Sequence, residues 1–239
     1  MNRINQVGQP ISSFYGYKTA GVYQNQAEVD NDPVAKKIND GAVSAGKAPI
    51  VKPGYLKYVD QNNDGLLNDN DRVIIGSYLP KFTYGLNFGF NYKGFDFATT
   101  LQGQTGASML NLKRTQRGYQ PTLNYDEAQF KNRWTGEGTS NSYPSAEGMV
   151  NPWNNYMSSF FVESASYFRI QNIQAGYTID NRLIKGLKKG SARIYLTAER
   201  PFTSFSANTF SPEIADSQGE DIYVYPISSL YTLGIRLTY

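Results

Sequence analysis

The segment Phe82–Tyr92, FTYGLNFGFNY, alternates bulky apolar side chains with small or polar ones along its whole length. Phe, Tyr or Leu stands at every even position, and Thr, Gly or Asn stands at every odd position. A period of two indicates a β-strand with two chemically different faces. The apolar face has to be covered either by a second protein layer, as in a soluble sandwich, or by lipid. The fold class of the chain depends on which of the two covers it.

The composition excludes several classes of function without deciding between these alternatives. The 239 residues contain no Cys and no His, which removes disulfides, thiolate metal sites, the usual catalytic triads and most zinc sites. The 23 Lys and Arg nearly balance the 20 Asp and Glu, so the net charge of +3 gives no sign of a nucleic-acid partner. No apolar run approaches the roughly 20 residues of a membrane-spanning helix. The N-terminal residues lack the apolar core that predicts a signal peptide.

Six segments have strand character, and short and long connections alternate between them. The predicted strands lie near residues 12–24, 82–92, 95–103, 166–179, 191–199 and 229–239. Lys93–Gly94 and residues 180–190 predict short turns, whereas residues 25–81, 104–165 and 200–228 predict long loops. Phe168 and Ile170 fall out of phase with the later residues of their strand. That shift predicts either a β-bulge or a strand that rises above the apolar band.

These connections favour a barrel over a sandwich. Loops of such length are uncommon in compact soluble domains, whereas outer-membrane barrels combine short periplasmic turns with long extracellular loops. Aromatic residues at strand ends predict a girdle formed by Tyr92, Phe95, Tyr177 and Tyr239. We therefore predict an all-β fold of antiparallel transmembrane barrel strands. Its polar faces, rich in Thr, Asn, Gly, Gln and Arg, predict a wet lumen lined by residues that include Asn87, Asn91, Arg193, Glu199 and Arg236.

Family-specific motifs follow one another along nearly the whole chain. They are SFYGYKTAGVYQNQAEVD, the segment from YLKYVDQNNDG to FDFATTLQG, RWT at Arg133–Thr135, SYFRIQNIQAGYTI, ARIYLTAERPFT and FSPEI at Phe210–Ile214. Together they resemble the C-terminal part of the SusC/RagA family of TonB-dependent outer-membrane transporters. The last strand also resembles the assembly signal of outer-membrane barrels, with Leu233, Ile235, Leu237 and Tyr239 in phase. An ordinary terminal strand is the alternative reading of that segment.

The resemblance implies the C-terminal strands of a 22-stranded barrel in the cell outer membrane. It implies contact with outer-membrane lipid, an N-terminal plug energised by TonB–ExbB–ExbD, and a SusD-like surface lipoprotein as lid. The implied cargo is oligosaccharides or peptides, and no enzymatic activity is implied. The plug, the TonB-contacting segment and most of the strands of that family pattern are missing here. Since an open sheet in lipid leaves costly unpaired backbone groups, we expect a fragment, one piece of a split assembly, or a chain that folds only with partners.

The stretch DQNNDGLLNDND predicts a structural calcium site in an extracellular loop. Its oxygen atoms fall at the spacing of an EF-hand loop, with Gly65 at the sharp turn. The predicted ligands are Asp60, Asn62, Asp64, the Leu66 carbonyl, Asn68 and Asp71. The alternative is an Asx-rich turn whose side chains cap their own backbone.

Aromatic and basic residues in the connections supply further candidates. The candidate ligand-binding aromatics are Tyr119, Trp134, Trp153, Tyr156 and Phe160. If exposed, their rings could stack on sugars or pack against a lipoprotein, and the alternative is that they hold a long loop together internally. A basic cluster in a predicted periplasmic turn could contact lipid phosphates or be merely solvated, and it contains Arg182, Lys185, Lys188 and Lys189.

Two other functional classes compete with the transporter. A soluble, calcium-stabilised β-sandwich that binds carbohydrate predicts a monomer in which the even face of Phe82–Tyr92 is buried. A glycosidase needs two carboxylates at a defined separation, and no spacing singles out such a pair among Glu163, Glu199, Glu213 and the many Asp residues. We therefore predict no catalytic residue, and no cofactor other than calcium.

Overall fold

The computed structural model describes residues 3–114, 126–180, 190–214, 219–221 and 225–238. The chain divides into two compact units, each built from three separate segments. The loop unit comprises Met1–Leu79, Ser108–Glu163 and Ala215–Val224, and the sheet unit comprises Pro80–Ala107, Ser164–Ile214 and Tyr225–Tyr239.

Strands predominate over helices in the described residues. In chain order the strands are β1 (Arg3–Ile4), β2 (Ser13–Tyr17), β3 (Thr19–Val22), β4 (Leu56–Tyr58), β5 (Arg72–Gly76), β6 (Phe82–Tyr92), β7 (Phe95–Thr105), β8 (Ser108–Asn111), β9 (Val162–Ser164), β10 (Tyr167–Asp180), β11 (Ser191–Phe205), β12 (Glu220–Asp221) and β13 (Leu230–Thr238). The α-helices are α1 (Gln26–Asn31), α2 (Pro33–Ser44), α3 (Glu127–Asn132) and α4 (Ala146–Val150). Short 3₁₀ turns cover Asp69–Asp71, Pro152–Asn155, Ser159–Phe161 and Pro212–Ile214. None of the helices in the described ranges is long and apolar enough to cross a membrane.

The sheet unit contains one five-stranded antiparallel sheet in the order β13-β11-β10-β7-β6. The tight turn at Lys93–Gly94 joins β6 to β7, and both turn residues have a positive φ, as a two-residue hairpin requires. β7 and β11 extend past their predicted ends, to Thr105 and Phe205. The described residues give the outer edges of β6 and β13 no partner strand within this sheet.

The predicted β-bulge in β10 is confirmed. The register of β10 shifts between Ile170 and Asn172 against both of its neighbours. Beyond the shift Ile170 pairs with Leu101, so the two residues that fell out of phase return to the apolar face of the sheet. The Thr99 hydroxyl donates to the Asn172 carbonyl at 2.9 Å and so satisfies a backbone acceptor next to the irregularity.

None of the described residues forms a layer over the apolar face of the sheet. Its exposed large side chains range from 38% exposure for Tyr84 to 73% for Leu233, whereas Phe97, Leu101 and Ile173 on the same face are half-buried. A sandwich requires a second sheet about 10 Å away that buries these residues. The soluble-sandwich alternative is therefore not supported, and the structure agrees with an all-β barrel segment.

Long connections predicted as loops fold into the loop unit, which corrects the predicted loop organisation. Residues 25–81 contain α1, α2, β4 and β5, and residues 104–165 contain β8, α3, α4 and β9. Asn25 and Asp32 cap the two first helices, their side chains accepting from Glu28 N and Val34 N. The unit has its own hydrophobic core, formed by Val22, Tyr23, Val29, Val34, Ala35, Val51, Tyr55, Leu56, Tyr58, Met149, Trp153, Phe160 and Phe161.

The strand predicted near residues 12–24 is in fact two strands that belong to different sheets. β2 lies between β1 and β5, whereas β3 pairs with β4. Phe14 and Val22 are both buried, so each half of the segment follows its own packing partners. Tertiary burial outweighs the local alternation that suggested one continuous strand.

Candidate functional site

Apolar side chains run in continuous rows across all five strands of the sheet unit. One row consists of the residues that pair from strand to strand, namely Phe90, Phe97, Ala175, Leu196 and Leu233. The next row, beside the Lys93–Gly94 turn, consists of Tyr92, Phe95, Tyr177, Ile194 and Ile235. Three aromatic residues of the predicted girdle thus lie at one level, and Tyr239 lies outside the described residues. This surface has the pattern of a lipid-facing barrel wall.

The opposite face of the sheet carries the residues predicted to line a lumen. Asn87 pairs in register with Thr100, and the Thr100 hydroxyl donates to its side-chain oxygen at 2.8 Å. Glu199 pairs with Asn172, and Arg193 pairs with Arg236. Asn91 lies opposite Asp96 on the same face. The five predicted lumen residues therefore share one polar surface.

A bidentate ion pair crosses this polar face from β11 to β7. Arg193 Nε donates to Asp96 Oδ1 at 2.8 Å, and Arg193 Nη2 donates to Asp96 Oδ2 at 2.5 Å. The pair passes over Gly176 of the intervening strand, where a Cβ atom would lie 2.6–2.7 Å from atoms of both side chains. The glycine is therefore what lets the ion pair span three strands.

A second polar cluster lies at the other end of the sheet and was not predicted. Arg169 is 3% exposed and forms an ion pair with Glu213, the carboxylate of the FSPEI motif. The Tyr167 hydroxyl donates to the same carboxylate at 2.5 Å, and Arg169 Nη2 donates to the Ser211 hydroxyl at 3.2 Å. The motif and Arg169 were both visible in the sequence, but their separation along the chain hid the contact.

The predicted calcium ligands surround one turn and bond to the backbone of that turn. Asp60 accepts from Gly65 N at 2.8 Å, and Asp64 accepts from Leu66 N at 2.8 Å. Asp71 is fully buried and accepts from Gln61 N at 2.9 Å. A capping box at Asn68 closes the turn: Asn68 N donates to Asp71 at 2.8 Å, and the Asn68 side chain accepts from Asn70 N at 2.8 Å.

Hydrogen bonds favour the charged form of Asp64. The bond from the Asn62 side chain, helped by those from Leu66 N and Asn68, lowers the pKa of Asp64 below its usual value. Within the described ranges, no group of three or more Asp or Glu side chains is placed to hold a metal ion. Calcium binding by Asp60, Asn62, Asp64, Leu66, Asn68 and Asp71 stays a prediction.

The four aromatic candidates that the structure describes do not form an exposed binding surface. Trp153 and Phe160 are buried in the core of the loop unit, and Trp134 packs partly buried against it. The Trp153 indole donates to the Leu56 carbonyl at 2.8 Å. Tyr156 is 45% exposed but packs edge-on against Trp153 and Tyr58. These rings hold the unit together, because their faces are occupied by other side chains.

Several predicted residues lie outside the described residues. They are Tyr119 among the aromatics, Tyr239 of the assembly signal, and the basic cluster Arg182, Lys185, Lys188 and Lys189. The other residues of the assembly signal, Leu233, Ile235 and Leu237, lie in phase on the apolar face of β13.

The amino-acid sequence of the chain is similar to those of known proteins. No protein-family model matches the chain. The TonB-dependent receptor P26 of Formosa agariphila is 28% identical over 247 residues, which cover 98% of this chain and 23% of the receptor. The TonB-dependent receptor SusC of Bacteroides thetaiotaomicron is 27% identical over 190 residues, covering 79% of this chain and 18% of the receptor. The chain is thus similar over most of its length to TonB-dependent receptors, SusC among them.

Solved structures of such a transporter share the fold. The RagAB peptide importer in its open-open state superposes with a TM-score of 0.69 at 21% identity, over 100% of this chain and 23% of that chain. A second structure, described as the RagAB peptide transporter, gives a TM-score of 0.65 at 22% identity, over 99% of this chain and 24% of that chain. The receptor-like chain therefore spans no more than about a quarter of the length of these relatives.

Proposed function

We propose that this chain forms part of the barrel wall of a TonB-dependent nutrient importer in the cell outer membrane. The uncovered apolar face of the sheet unit is the observation that carries the proposal, because lipid is the solvent that such a face requires. The relatives named as TonB-dependent receptors, and the fold shared with a peptide importer, support it. Strands outside this chain would pair with the free edges of β6 and β13.

The polar face then lines the path of the cargo. Asn87, Asn91 and Glu199 offer amide and carboxylate groups to water and to a polar solute, whereas the ion pair of Arg193 with Asp96 fixes the wall between them. These residues support passage and perform no covalent chemistry. The cargo class we propose is oligosaccharides or peptides, in line with the peptides named for RagAB.

The partners belong to the same proposal. We propose a plug inside the barrel, energised by TonB–ExbB–ExbD, a SusD-like lipoprotein as lid, and outer-membrane lipid around the wall. The loop unit, which contains most of the predicted extracellular connections 25–81 and 104–165, would present its surface to that lid. Support comes from the likeness to SusC and to the RagAB peptide importer.

Thiol labelling tests which face meets lipid, and the absence of native Cys makes single substitutions clean. Leu196 and Thr197 are neighbours on β11 that point to opposite faces of the sheet. In outer-membrane preparations, we expect a membrane-impermeant thiol reagent to modify the Thr197→Cys variant and a lipid-soluble maleimide to modify Leu196→Cys. Rapid modification of Leu196→Cys by the water-soluble reagent, or its protection from both, would refute the lipid-facing assignment.

A further inference from the structure

A small cavity of about 190 Å³ lies in the sheet unit, at the end of β10 and β11 farthest from the Lys93–Gly94 turn. Polar groups converge on it from three separate segments of the chain. They include Arg169, Arg200, Thr203, Ser211 and Ser229, and Phe210 stands among the apolar lining residues. Convergent polar groups in a concave site are the usual mark of a binding pocket.

Arg169 presents unused donors in this wall. Its Nε donates to the Thr203 hydroxyl at 3.0 Å, its Nη2 donates to the Ser211 hydroxyl at 3.2 Å, and its Nη1 pairs with Glu213. A guanidinium has five N–H donors. Two of those donors therefore have no protein partner among the described residues, although the side chain is almost fully buried.

Arg200 reaches the cavity because the backbone is irregular there. Asn172 pairs with Glu199 and Ile170 pairs with Phe202, so Arg200 and Pro201 together oppose the single residue Gln171. Such bulges redirect side chains. Arg200 has a φ of 50°, in the left-handed region that is costly for a residue other than glycine.

Two hydrogen bonds hold Arg200 in this conformation. The Ser229 hydroxyl donates to the Arg200 carbonyl at 2.7 Å, and Arg200 Nε donates to the Ser228 carbonyl at 3.3 Å. Both tie the bulge to the segment that precedes β13. The strained residue is thereby fixed at the cavity wall, as is common where strain serves a function.

The charged residues that line the cavity are both arginines. Glu213 forms an ion pair with Arg169, and Glu199 Oε2 lies 4.0 Å from Arg200 Nη2. Neither glutamate is among the described residues that line the cavity. Two guanidinium groups and three hydroxyls thus face the space without a carboxylate. Guanidinium groups bind carboxylate, sulfate and phosphate oxygens through paired hydrogen bonds.

We propose that this cavity binds one oxyanion group, a carboxylate or a sulfate, carried by the imported solute. A water molecule occupies about 30 Å³ of liquid, so the cavity holds a single charged group with its nearest atoms and not a whole oligomer. Phe210 is 54% exposed and offers a surface to the rest of the solute. This inference rests on the proposed function, since it assigns an anionic class to the cargo.

Equilibrium dialysis of the detergent-solubilised protein against radiolabelled acetate and, separately, inorganic sulfate tests the site without requiring transport. Acetamide serves as the uncharged analogue of acetate. We expect saturable binding of at least one anion and none of acetamide. Arg200→Gln should weaken binding at least tenfold because it removes a charge-assisted contact, whereas Arg200→Lys, which keeps the charge, should weaken it less.

Arg133→Gln is the matched control, because it removes one arginine charge from the loop unit, outside the cavity lining. Its binding should equal that of the unchanged protein, and circular dichroism should show every variant folded. No binding of either anion, or equal losses in Arg200→Gln and Arg133→Gln, would overturn the site. Comparing the binding of acetate with that of sulfate shows whether the cavity binds a carboxylate or a sulfate group. Import measured in cells reports on the proposed function independently, since it can persist when this binding is absent.

Discussion

At the residue scale, close approach of side chains explains two glycines on the polar face of the sheet. Gly176 lies beneath the ion pair of Arg193 with Asp96, and Gly234 lies beneath the ring of Tyr195, which a Cβ at that position would overlap. Neither glycine has the positive φ that would give it a backbone role. At both positions a Cβ atom would force the neighbouring side chain to move.

Gly176→Ala should therefore destabilise the sheet by about 1–3 kcal/mol, since the added methyl group forces the ion pair apart. Gly85→Ala is the matched control, because a Cβ there meets only a carbonyl oxygen at 3.6 Å. Urea unfolding of the two variants in detergent micelles measures the difference. Equal free energies of unfolding in the two variants would show that the space above Gly176 does not constrain it.

At the element scale, the loop of residues 60–71 shows how far a spacing predicts a structure. The sharp turn at Gly65 is present with a φ of 73°, and the Asx side chains surround it as predicted. The hydrogen bonds within the loop belong to the capping alternative, and an EF-hand-like cation would use the same oxygen atoms. Spacing thus predicted the shape of the loop without fixing its occupant.

Calcium binding remains a prediction of the spacing. Calorimetric titration of the protein with Ca²⁺ should show a saturable heat that disappears in Asp64→Ala, because that variant removes the ligand at the fifth position of the loop. Lys36→Ala, on the exposed side of α2, is a suitable control. Identical heats in the unchanged protein and Asp64→Ala, or no heat in either, would remove the site.

The order of this loop should also depend on pH. Hydrogen bonds from Asn62 and Leu66 lower the pKa of Asp64 in the folded chain. Their contribution to the stability of the loop is therefore fully present above the pKa of about 3.9 that this carboxyl group has in the unfolded chain. This contribution to stability is lost as the pH falls through the lower pKa that Asp64 has in the folded chain. The amide resonance of Leu66 should follow this titration in calcium-free buffer. Asp64→Asn should show no such titration, and a shift that persists in that variant would assign the change to another group.

Local sequence patterns predicted one irregularity of the strands and missed another. The bulge in β10 was predictable because a slip of one residue moves every later side chain to the other face. The continuation of β11 through Pro201 was not, because proline usually ends or interrupts a strand. Arg200 with its positive φ carries the chain past that position.

At the scale of the whole molecule, one sheet is left with both edges open and its apolar face uncovered among the described residues. Such a sheet needs an apolar environment over that face and further strands to complete its backbone hydrogen bonds. In the loop unit, by contrast, protein covers the apolar side chains. Its core of aromatic and aliphatic residues is buried in protein, as in any water-soluble fold.

Placing a charge on each face distinguishes lipid from water as the solvent. Leu233→Arg should lower the free energy of unfolding in lipid vesicles by about 2–4 kcal/mol, the cost of an arginine near the middle of a bilayer. Thr232→Arg, one residue away on the polar face, should change it much less. Circular dichroism of the β-sheet signal during urea unfolding measures both variants. Similar losses in the two variants would mean that the faces share one environment.

The sequence by itself determined the strands of the sheet, the turn at Lys93–Gly94, the bulge and the division into an apolar and a polar face. These features depend on residues a few positions apart, so a period of two and its interruption suffice to predict them. Only the tertiary structure decided that nothing in the described chain covers the apolar face, that the long connections bury Trp153 and Phe160, and that Arg169 meets Glu213. Burial and ion pairing depend on partners far apart along the chain, and no local pattern encodes that distance.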